Sequence, residues 1–580
     1  MTVSNNDVAS VFETMADLLE IEGANQFRVR AYRNAARTLD VLPEPLADMV
    51  SKGRDLTEIP GIGKDLAGKI MEIISTGKLA ALEEISDRTP PGLLALLKIH
   101  GVGPKRVRAF HEKFKVKTIE DLDKIIKDGK LKELRGIGPK LERSILDEID
   151  RKKNEPSRFG IDVAGRIADD YIKYILNFKN IKNAIIAGSC RRKQETVGDL
   201  DILVTFTRPN PAVTMVPAIM DKLVKYDGVN KILAKGGTRA TVLLKNGIQV
   251  DIRVVPESSY GSALLYFTGS KAHNIAVRSI AIKKGLKVNE YGVFKRDKAI
   301  AGRTEEEVYG KIGLPYIEPE LRENRGEIEA ALSGRLPRLI TEKDIRGDFH
   351  AHTVETDGHN TPEEMAMAAK RRGYTFLAIT DHTKRLTVAR GLDPKRLAAQ
   401  IKKIDKFNEK SDGLILLKGS EVDILEDGSL DLPDDILKEL DVRVCSVHYK
   451  FNLTEKQQTE RIIRAMDNPY FNIFAHPTGK LIGSRPQYKI DIERILVAAK
   501  ERGCFLELNA QPERLDLDDV HCKMAKNHGV KVVVSTDAHS EAELGFMRFG
   551  IQQARRGWLE PGDILNTLGW NEIRKLLKRK

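Results

Sequence analysis

Cysteine, tryptophan and long apolar runs are what this 580-residue sequence has least of. Its four cysteines, Cys190, Cys445, Cys504 and Cys522, show no CxxC spacing and are too few to frame a disulfide scaffold. The cores must therefore close by apolar burial, in keeping with a reducing compartment. No uninterrupted apolar stretch approaches the ~18 residues of a membrane-spanning helix. The polar residues 1–10 lack a charged flank ahead of an apolar run. These absences predict a soluble, cytoplasmic chain with no membrane partner. With 41% hydrophobic and 31% charged residues, global disorder and collagen-like repeats are excluded. At roughly 150 residues per domain the length predicts about four compact units.

Charge is plentiful but uneven. The formal net charge is +12, yet residues 101–300 alone hold 40 basic against 23 acidic side chains, a local net charge of +17. A basic block in an otherwise balanced chain concentrates a polyanion, and nucleic acid is the commonest such partner.

The first 150 residues read as short helices, among which one pattern returns three times: Ile59-Pro60-Gly61-Ile62-Gly63-Lys64, His100-Gly101-Val102-Gly103-Pro104-Lys105 and Arg135-Gly136-Ile137-Gly138-Pro139-Lys140. Two glycines around one aliphatic residue allow a tight turn at a helix N-terminus. Its N–H groups can hold a phosphate oxygen while the aliphatic side chain packs inward. The three copies resemble helix-hairpin-helix elements, with Gly61, Gly63, Gly101, Gly103, Gly136 and Gly138 as the DNA-gripping positions.

From about 160 the pattern becomes α/β, with strands predicted at 183–187, 200–206, 240–244 and 249–255 and an amphipathic helix around 272–284. In the run Gly188-Ser189-Cys190-Arg191-Arg192 to Gly198-Asp199-Leu200-Asp201, the strand period of two sets Asp199 and Asp201 on one face. Asp251 opens another strand, so three carboxylates can converge on divalent cations, the arrangement of a phosphoryl-transfer centre. Ser189, Arg191 and Arg192 supply a hydroxyl and forked cations suited to a triphosphate tail. Downstream, Tyr266-Phe267-Thr268-Gly269-Ser270 precedes a helix carrying Asn274 and Arg278.

On these motifs, in this order, residues 1–320 resemble a family X DNA polymerase of the DNA polymerase beta kind. The resemblance implies a helix-hairpin-helix domain followed by fingers, palm and thumb. Asp199 and Asp201 would bind both metals, Mg2+ or Mn2+, and Asp251 the one at the primer 3′-OH. Ser189, Arg192 and Gly198 would hold the triphosphate, and Tyr266 and Phe267, in the turn that ends at Gly269 and Ser270, would screen the sugar. Asn274 would meet the base edge and Arg278 the template. Gln249 stands where relatives often carry an arginine supporting the third acid. Lys69 aligns with the family's Schiff-base lysine, a position where a plain phosphate contact is the other reading.

The stretch 322–341 is charged and lacks strand signals, which predicts an interdomain connector. Beyond it, strands predicted at 346–350, 376–380, 414–420, 442–448, 471–476, 504–509 and 530–536 alternate with helices. That alternation implies a parallel sheet or barrel with its working groups at the C-terminal strand ends. Nine of the 12 histidines fall in residues 350–539. His350, His352, Asp357, His382, Glu421, His448, His476, Asp537 and His539 form a mixed imidazole and carboxylate set suited to Zn2+, Mn2+ or Fe. His359, His521 and His528 lie in helical or loop contexts and read as structural, while Asp381 reads as an orienter of an imidazole.

The order HxH, Asp-His, Glu, His, His, Asp-x-His resembles that of a PHP (polymerase and histidinol phosphatase) domain, which implies a distorted (β/α)7 barrel holding two to three ions. His350, His352, Glu421 and Asp537 would hold one, Glu421 with His448 and His476 a second, and Asp357, His382 and His539 a third. Asp357 stands where some members carry histidine. The chemistry indicated is phosphate-ester hydrolysis.

The expected layout is 1–90 helix-hairpin-helix domain, 91–155 fingers, 156–258 palm, 259–321 thumb, 322–341 linker and 342–580 barrel. The expected activity is gap-filling DNA synthesis from dNTPs on gapped or primer-template DNA by a monomer, with a 3′–5′ exonuclease that also cleaves abasic sites or 3′-phosphates. Two rivals are a non-templated nucleotidyltransferase and a DNA-binding polymerase whose barrel is inert.

Overall fold

The structure, a computed structural model, describes residues 158–206 and 215–579 throughout and the greater part of 5–149. The chain divides into two compact units, Met1–Ser157 with Lys271–Gly285, and Arg158–Ser270 with Leu286–Lys580.

The first unit is helical. α1 (Asn5–Glu22) and α2 (Gln26–Asp40) pair through a stripe that includes Phe12 set edge-on to Tyr32, with centroids 5.3 Å apart. α3 (Leu46–Ser51), α4 (Lys64–Thr76) and α5 (Ala80–Arg88) complete that core through Leu46, Ile70, Ile73 and Ile85. A second core joins α6 (Gly92–Leu97), α7 (Pro104–Phe114) and α8 (Ile119–Lys127) through Leu96, Val107, Phe110, Leu122 and Ile126. α8 starts where Thr118 and Asp121 cap each other's backbone N–H groups.

The second unit opens with α9 (Ile161–Leu176) packed on a five-stranded sheet: β1 (Ile181–Ile186), β2 (Asp199–Phe206), β3 (Val229–Lys235), β4 (Arg239–Leu244) and β5 (Gln249–Val254), in the order β1-β2-β5-β4-β3. Only β2 and β5 are parallel, and their register sets Asp201 directly opposite Asp251. α10 (Tyr260–Thr268) then leads to a three-stranded antiparallel sheet of β6 (Lys287–Asn289), β7 (Gly292–Lys295) and β8 (Lys298–Ala301), and to α11 (Glu305–Ile312).

The stretch expected as a connector is itself folded. Arg322 is wholly buried, with Nε donating to Ile317 O and NH1 bonded to Glu305, and the chain continues into α12 (Glu327–Leu332). A buried ion pair carries no apolar periodicity, so a segment built on one reads as solvated.

The remaining chain forms seven parallel strands in sequence order: β9 (Gly347–Asp348), β10 (Phe376–Ile379), β11 (Ile415–Asp423), β12 (Val442–Ser446), β13 (Ile473–Phe474), β14 (Phe505–Asn509) and β15 (Val532–Ser535). The sheet returns on itself where Ala351 bridges Ala538, His352 N donates to Ala538 O at 2.8 Å, and Thr536 N donates to Asp348. Around it lie α13 (Pro362–Arg371), α14 (Pro394–Asn408), α15 (Glu455–Met466), α16 (Ile492–Arg502), α17 (Asp519–His528) and α18 (Met547–Arg556). This is the distorted (β/α)7 barrel.

Strand parity divides two cores. Leu377, Leu416 and Val532 join the helix-facing cluster, whereas Phe376, Leu417, Val444, Phe505 and Val533 join an inner one closed by Ile573 and Leu577 of α19 (Trp570–Leu577). Followed toward the C-terminal end, the inner parity runs from Leu417 to Glu421, Val444 to His448, Phe505 to Glu507 and Val533 to Asp537. The face that is apolar at the bottom of the barrel thus carries imidazoles and carboxylates at its top.

Candidate active sites

In the helical unit the first two Gly-x-Gly turns stand at the starts of α4 and α7. Ile62 and Val102 are buried, while Gly63 and Gly103 are exposed with open space where a side chain would be. Ile137 and Gly138 repeat this division; Gly101 and Gly136 lie outside the described residues. Lys69, on α4, is paired with Asp65 and stands 6.0 Å over the Tyr32 ring. Asn274 and Arg278 lie one turn apart on the helix Lys271–Lys283, where Arg278 Nε donates to Asn274 O at 3.3 Å.

In the palm, Asp199, Asp201 and Asp251 lie at the N-terminal end of the parallel β2–β5 pair, Asp199 and Asp201 on one face by strand alternation and Asp201 in register with Asp251. Asp251 is the most constrained: its Oδ1 accepts Thr241 Oγ1 at 2.6 Å and its Oδ2 accepts Gln249 Nε2 at 2.9 Å. Gln249 therefore performs the support that an arginine would give, and Thr241, unmarked by the sequence motif, joins it from β4. Burial, with Asp199 and Asp251 adding negative charge, pushes Asp201 up to about 7; Asp199, although exposed as a residue, is also raised, by partial desolvation of its carboxyl and the charge of Asp251. Such mutual repulsion is what a cation relieves. Gly188, at φ +60°, must be glycine, because a Cβ there would stand 2.5 Å from Asp201 Oδ2.

The two arginines of the motif part company. Arg191 forms a fork on Glu305 of α11 at 2.6 and 2.9 Å and is thereby a link to the thumb rather than an open cation. Arg192 donates from Nε to Glu323 and from NH1 to the Thr268 carbonyl. Ser189 is half-buried in the turn after Gly188, and Gly198 immediately precedes the first acid. Tyr266 and Phe267 meet edge-on at 5.1 Å, with the Arg253 guanidinium 4.2 Å above the Phe267 ring. Gly269 ends α10, and Ser270 N donates to Arg322 O.

In the barrel all nine sequence-identified donors meet at one end. Among the described residues, the donor groups whose atoms lie within 4.8 Å of one another are confined to it: His352, Asp357, His382 and His539; His350, His352 and Asp537; and His382, Glu421 and His448. Glu421 is the hub. Its Oε2 lies 3.5 Å from His350 Nε2, 3.7 Å from His352 Nε2 and 2.8 Å from His382 Nδ1, while its Oε1 lies 2.9 Å from His476 Nε2 and 3.4 Å from His448 Nε2. Asp537 Oδ1 stands 3.1 Å from His352 Nε2, and Asp357 Oδ2 stands 3.4 and 3.5 Å from His382 and His539. Ligands about 2.1 Å from a shared ion are themselves roughly 3.4 Å apart. His350 Nε2 and both ring nitrogens of His352 are buried without a hydrogen-bond partner. The residues present thus fit a set of divalent ions.

Charge confirms the crowding. His352 is driven down to about 3 by burial and by His382 and His539 beside it. Burial opposes the charged forms of His382, His448 and His539, yet Glu421, Asp357, Asp423 and Asp537 lift them to about 10, 9 and 9.

Orienting partners that the sequence reading missed complete the pit. Glu507 Oε1 receives His350 Nδ1 at 2.7 Å, and its Oε2 accepts His476 N; Asp423 Oδ1 receives His448 Nδ1 at 2.9 Å. Only their strand parity could have marked them. Asp381, expected to orient an imidazole, instead binds Thr353, Thr356 and Gln400; its four acceptor bonds fix the loop that carries His352, not a ring.

Gly-x-Gly turns at helix starts, a palm with paired acids and an imidazole-lined barrel in one polypeptide define a nucleotidyltransferase joined to a metal-type phosphoesterase. Family models match at residues 3–79 (helix-hairpin-helix domain), 93–151 (SAM-like helix-hairpin-helix tandem) and 263–323 (DNA polymerase beta thumb). The Bacillus subtilis protein called DNA polymerase/3′-5′ exonuclease PolX is 37% identical over 577 residues, 99% of each chain. The C-terminal region is similar to a probable phosphatase of Thermoanaerobacter sp., 34% identical over 245 residues, 40% of this chain and 94% of that one. A probable phosphatase of Caldanaerobacter subterraneus is 36% identical over 210 residues, 34% and 78% of the two chains. The chain belongs to the family X DNA polymerases of the PolX type, with a PHP-like C-terminal barrel.

Proposed function

We propose that this chain is a template-directed DNA polymerase that fills short gaps by nucleotidyl transfer at Asp199, Asp201 and Asp251, and that its barrel is a metal-dependent 3′–5′ exonuclease. The observation that carries the proposal is the presence, in one chain, of two separate donor clusters, one of paired acids and one of imidazoles with carboxylates. Divalent ions supply charge neutralisation at a phosphorus under attack and lower the pKa of the attacking hydroxyl or water.

The chain's own groups do the rest. Thr241 and Gln249 bond the two oxygens of Asp251, with Arg239 3.4 Å from Oδ1, so the acid that would face the primer end keeps a fixed direction. Ser189, Arg192 and Gly198 line the turn where a triphosphate would lie, with Mg2+ or Mn2+ between it and the acids. Tyr266 and Phe267 bound the sugar side, and Asn274 and Arg278 serve the base and the template strand. The turns at Gly61, Gly63, Gly101, Gly103, Gly136 and Gly138 hold DNA by its backbone, and Lys69 contributes a phosphate contact. Domain limits follow the layout given above, and the working form is a monomer.

In the barrel, His350, His352, Glu421 and Asp537 would hold one ion, Glu421, His448 and His476 a second, and Asp357, His382 and His539 a third, as Zn2+, Mn2+ or Fe. Their enclosure suits a single frayed 3′ end, and the phosphatase names of the relatives support an additional 3′-phosphatase arm.

Gapped DNA with defined 3′ ends, incubated with and without dNTPs, tests the proposal. Asp199→Ala should abolish extension and keep degradation; His350→Ala should do the reverse. Loss of both activities in either variant contradicts two separate centres, and extension without a template strand would favour a non-templated transferase.

A further inference from the structure

Arg192, the arginine that the reading above assigns to the triphosphate, is not held by the palm alone. Its Nε donates to Glu323 Oε1 at 3.0 Å and its NH1 to the Thr268 carbonyl at 2.6 Å, while NH2 has no partner among the described residues. The same Glu323 oxygen accepts Gln194 Nε2 at 2.6 Å and Arg556 NH1 at 3.1 Å. Arg556 is the last residue of α18, in the barrel, and its side chain is 2% exposed. Its NH1 also donates to the Arg192 carbonyl at 2.7 Å, and its NH2 to Asp519 Oδ2 at 2.5 Å.

One barrel side chain therefore touches both the backbone of Arg192 and the carboxylate that fixes its guanidinium. An arginine tied at Nε and NH1 presents its remaining donors in one direction, whereas a free one must be ordered by its ligand at an entropic cost. Burial acts against the charge of Glu323, but Arg192 and Arg556 outweigh it and keep the carboxylate ionised. Other ion pairs cross the same seam without touching Arg192 or Glu323: Lys480 to Glu195 at 2.6 Å, and Arg325 to Asp519 at 3.0 Å, on the carboxylate oxygen that Arg556 NH2 also binds. Docking of palm and barrel is thus provided for elsewhere, and the Arg556–Glu323–Arg192 chain is distinguished by ending at a nucleotide-facing group.

We propose that Glu323 and Arg556 are positioning residues of the polymerase site, so that a side chain of the exonuclease barrel sets the dNTP affinity of the palm by orienting Arg192. The inference rests on the assignment of Arg192 to the triphosphate. The test is single-nucleotide insertion on gapped DNA by the full chain, with KM for dNTP and kcat measured separately and exonuclease rate without dNTP as the control for an intact barrel.

Glu323→Gln and Arg556→Ala should each raise KM roughly 10-fold, the scale of a slight misplacement of a binding group, with a smaller change in kcat and an unchanged exonuclease rate. Arg556→Lys should recover part of the loss. The double variant Glu323→Gln/Arg556→Ala should be no worse than the worse single one, because both act through Arg192. Arg325→Ala should leave KM unchanged. If Arg556→Ala loses its exonuclease rate through misfolding, Arg556→Lys and Glu323→Gln decide. An unchanged KM in these variants beside a raised KM in Arg192→Ala overturns the inference alone, as does an equal rise in Arg325→Ala. An unchanged KM in Arg192→Ala overturns the triphosphate assignment itself.

Discussion

The palm and the barrel both gather charge for a divalent ion, but by opposite means. The palm offers three carboxylates on two strands, with Asp199 exposed and Asp201 half-buried, and its three acids do not form a mutually close donor group as the barrel's do. The barrel gathers nine donors, with His350 and His352 wholly buried and the far nitrogen of His350 braced by Glu507. Hard ions such as Mg2+ are held by one or two carboxylates plus substrate phosphates, whereas mixed nitrogen and oxygen cages suit Zn2+, Mn2+ or Fe. The polymerase centre is therefore completed by its substrate and the hydrolytic centre by folding.

The largest effect should come from Glu421→Ala. This carboxylate faces five imidazoles, so its removal should strip more than one ion and lower exonuclease activity about 1,000-fold, a loss of several kcal/mol, with gap filling intact. Elemental analysis and end degradation are the measurements; a variant that keeps its full metal content would break the contrast. Next is pH. His382, His448 and His539, raised to about 10, 9 and 9, carry protons at pH 7.5 that an entering ion must displace. Barrel affinity should climb with pH up to about 9, whereas palm affinity, governed by Asp201 near 7, should level off above that value. Calorimetry of the metal-stripped protein at pH 8.5, in buffers of different ionisation heat, should show proton release for the barrel and none for the palm. A smaller loss, roughly 10–100-fold in metal affinity, is expected of Glu507→Gln, which leaves every ligand in place but frees the His350 ring.

Much of this contrast was legible in the sequence, and what escaped has a common cause. Period-two spacing located Asp199 and Asp201, and the ends of five of the seven strands located the imidazoles, because each motif repeats a local geometry. β3, with its largely exposed Ile232 and Leu233, gave no alternating signal, and the short strands β6 to β8 are too brief to carry one. Arg191 and Arg192, adjacent and chemically alike, take different partners, Glu305 and Glu323, more than 100 positions away. Glu507 and Asp423 take partners 157 and 25 positions away, and Thr241 meets Asp251 across a strand pair; strand parity sets the face of each but does not name the partner. Asp381 shows the converse error: its place beside His382 suggested a role on the ring, but strand alternation turns the two side chains apart, and its carboxylate serves the Thr353–Thr356 loop.

The smallest effect sharpens the claim that the palm is unfinished without its ligands. Asp201 titrates near 7 in the folded chain because burial and two neighbouring acids disfavour its charge, whereas in the unfolded chain it titrates near 4. Folding thus favours the protonated form, and any stability it lends is full below pH 4 and lost as pH rises to 7. At pH 8 without divalent ions the carboxylate is an uncompensated burden, so Asp201→Asn should raise the melting temperature by a few degrees, with no gain at pH 4. Adding Mg2+ and dNTP should stabilise the native chain more than the variant, which keeps Asp199 and Asp251 but lacks the third charge for the ions to neutralise. Equal melting temperatures at pH 8 would mean that the palm is already relaxed around its acids, and the contrast with the barrel would lose its physical basis.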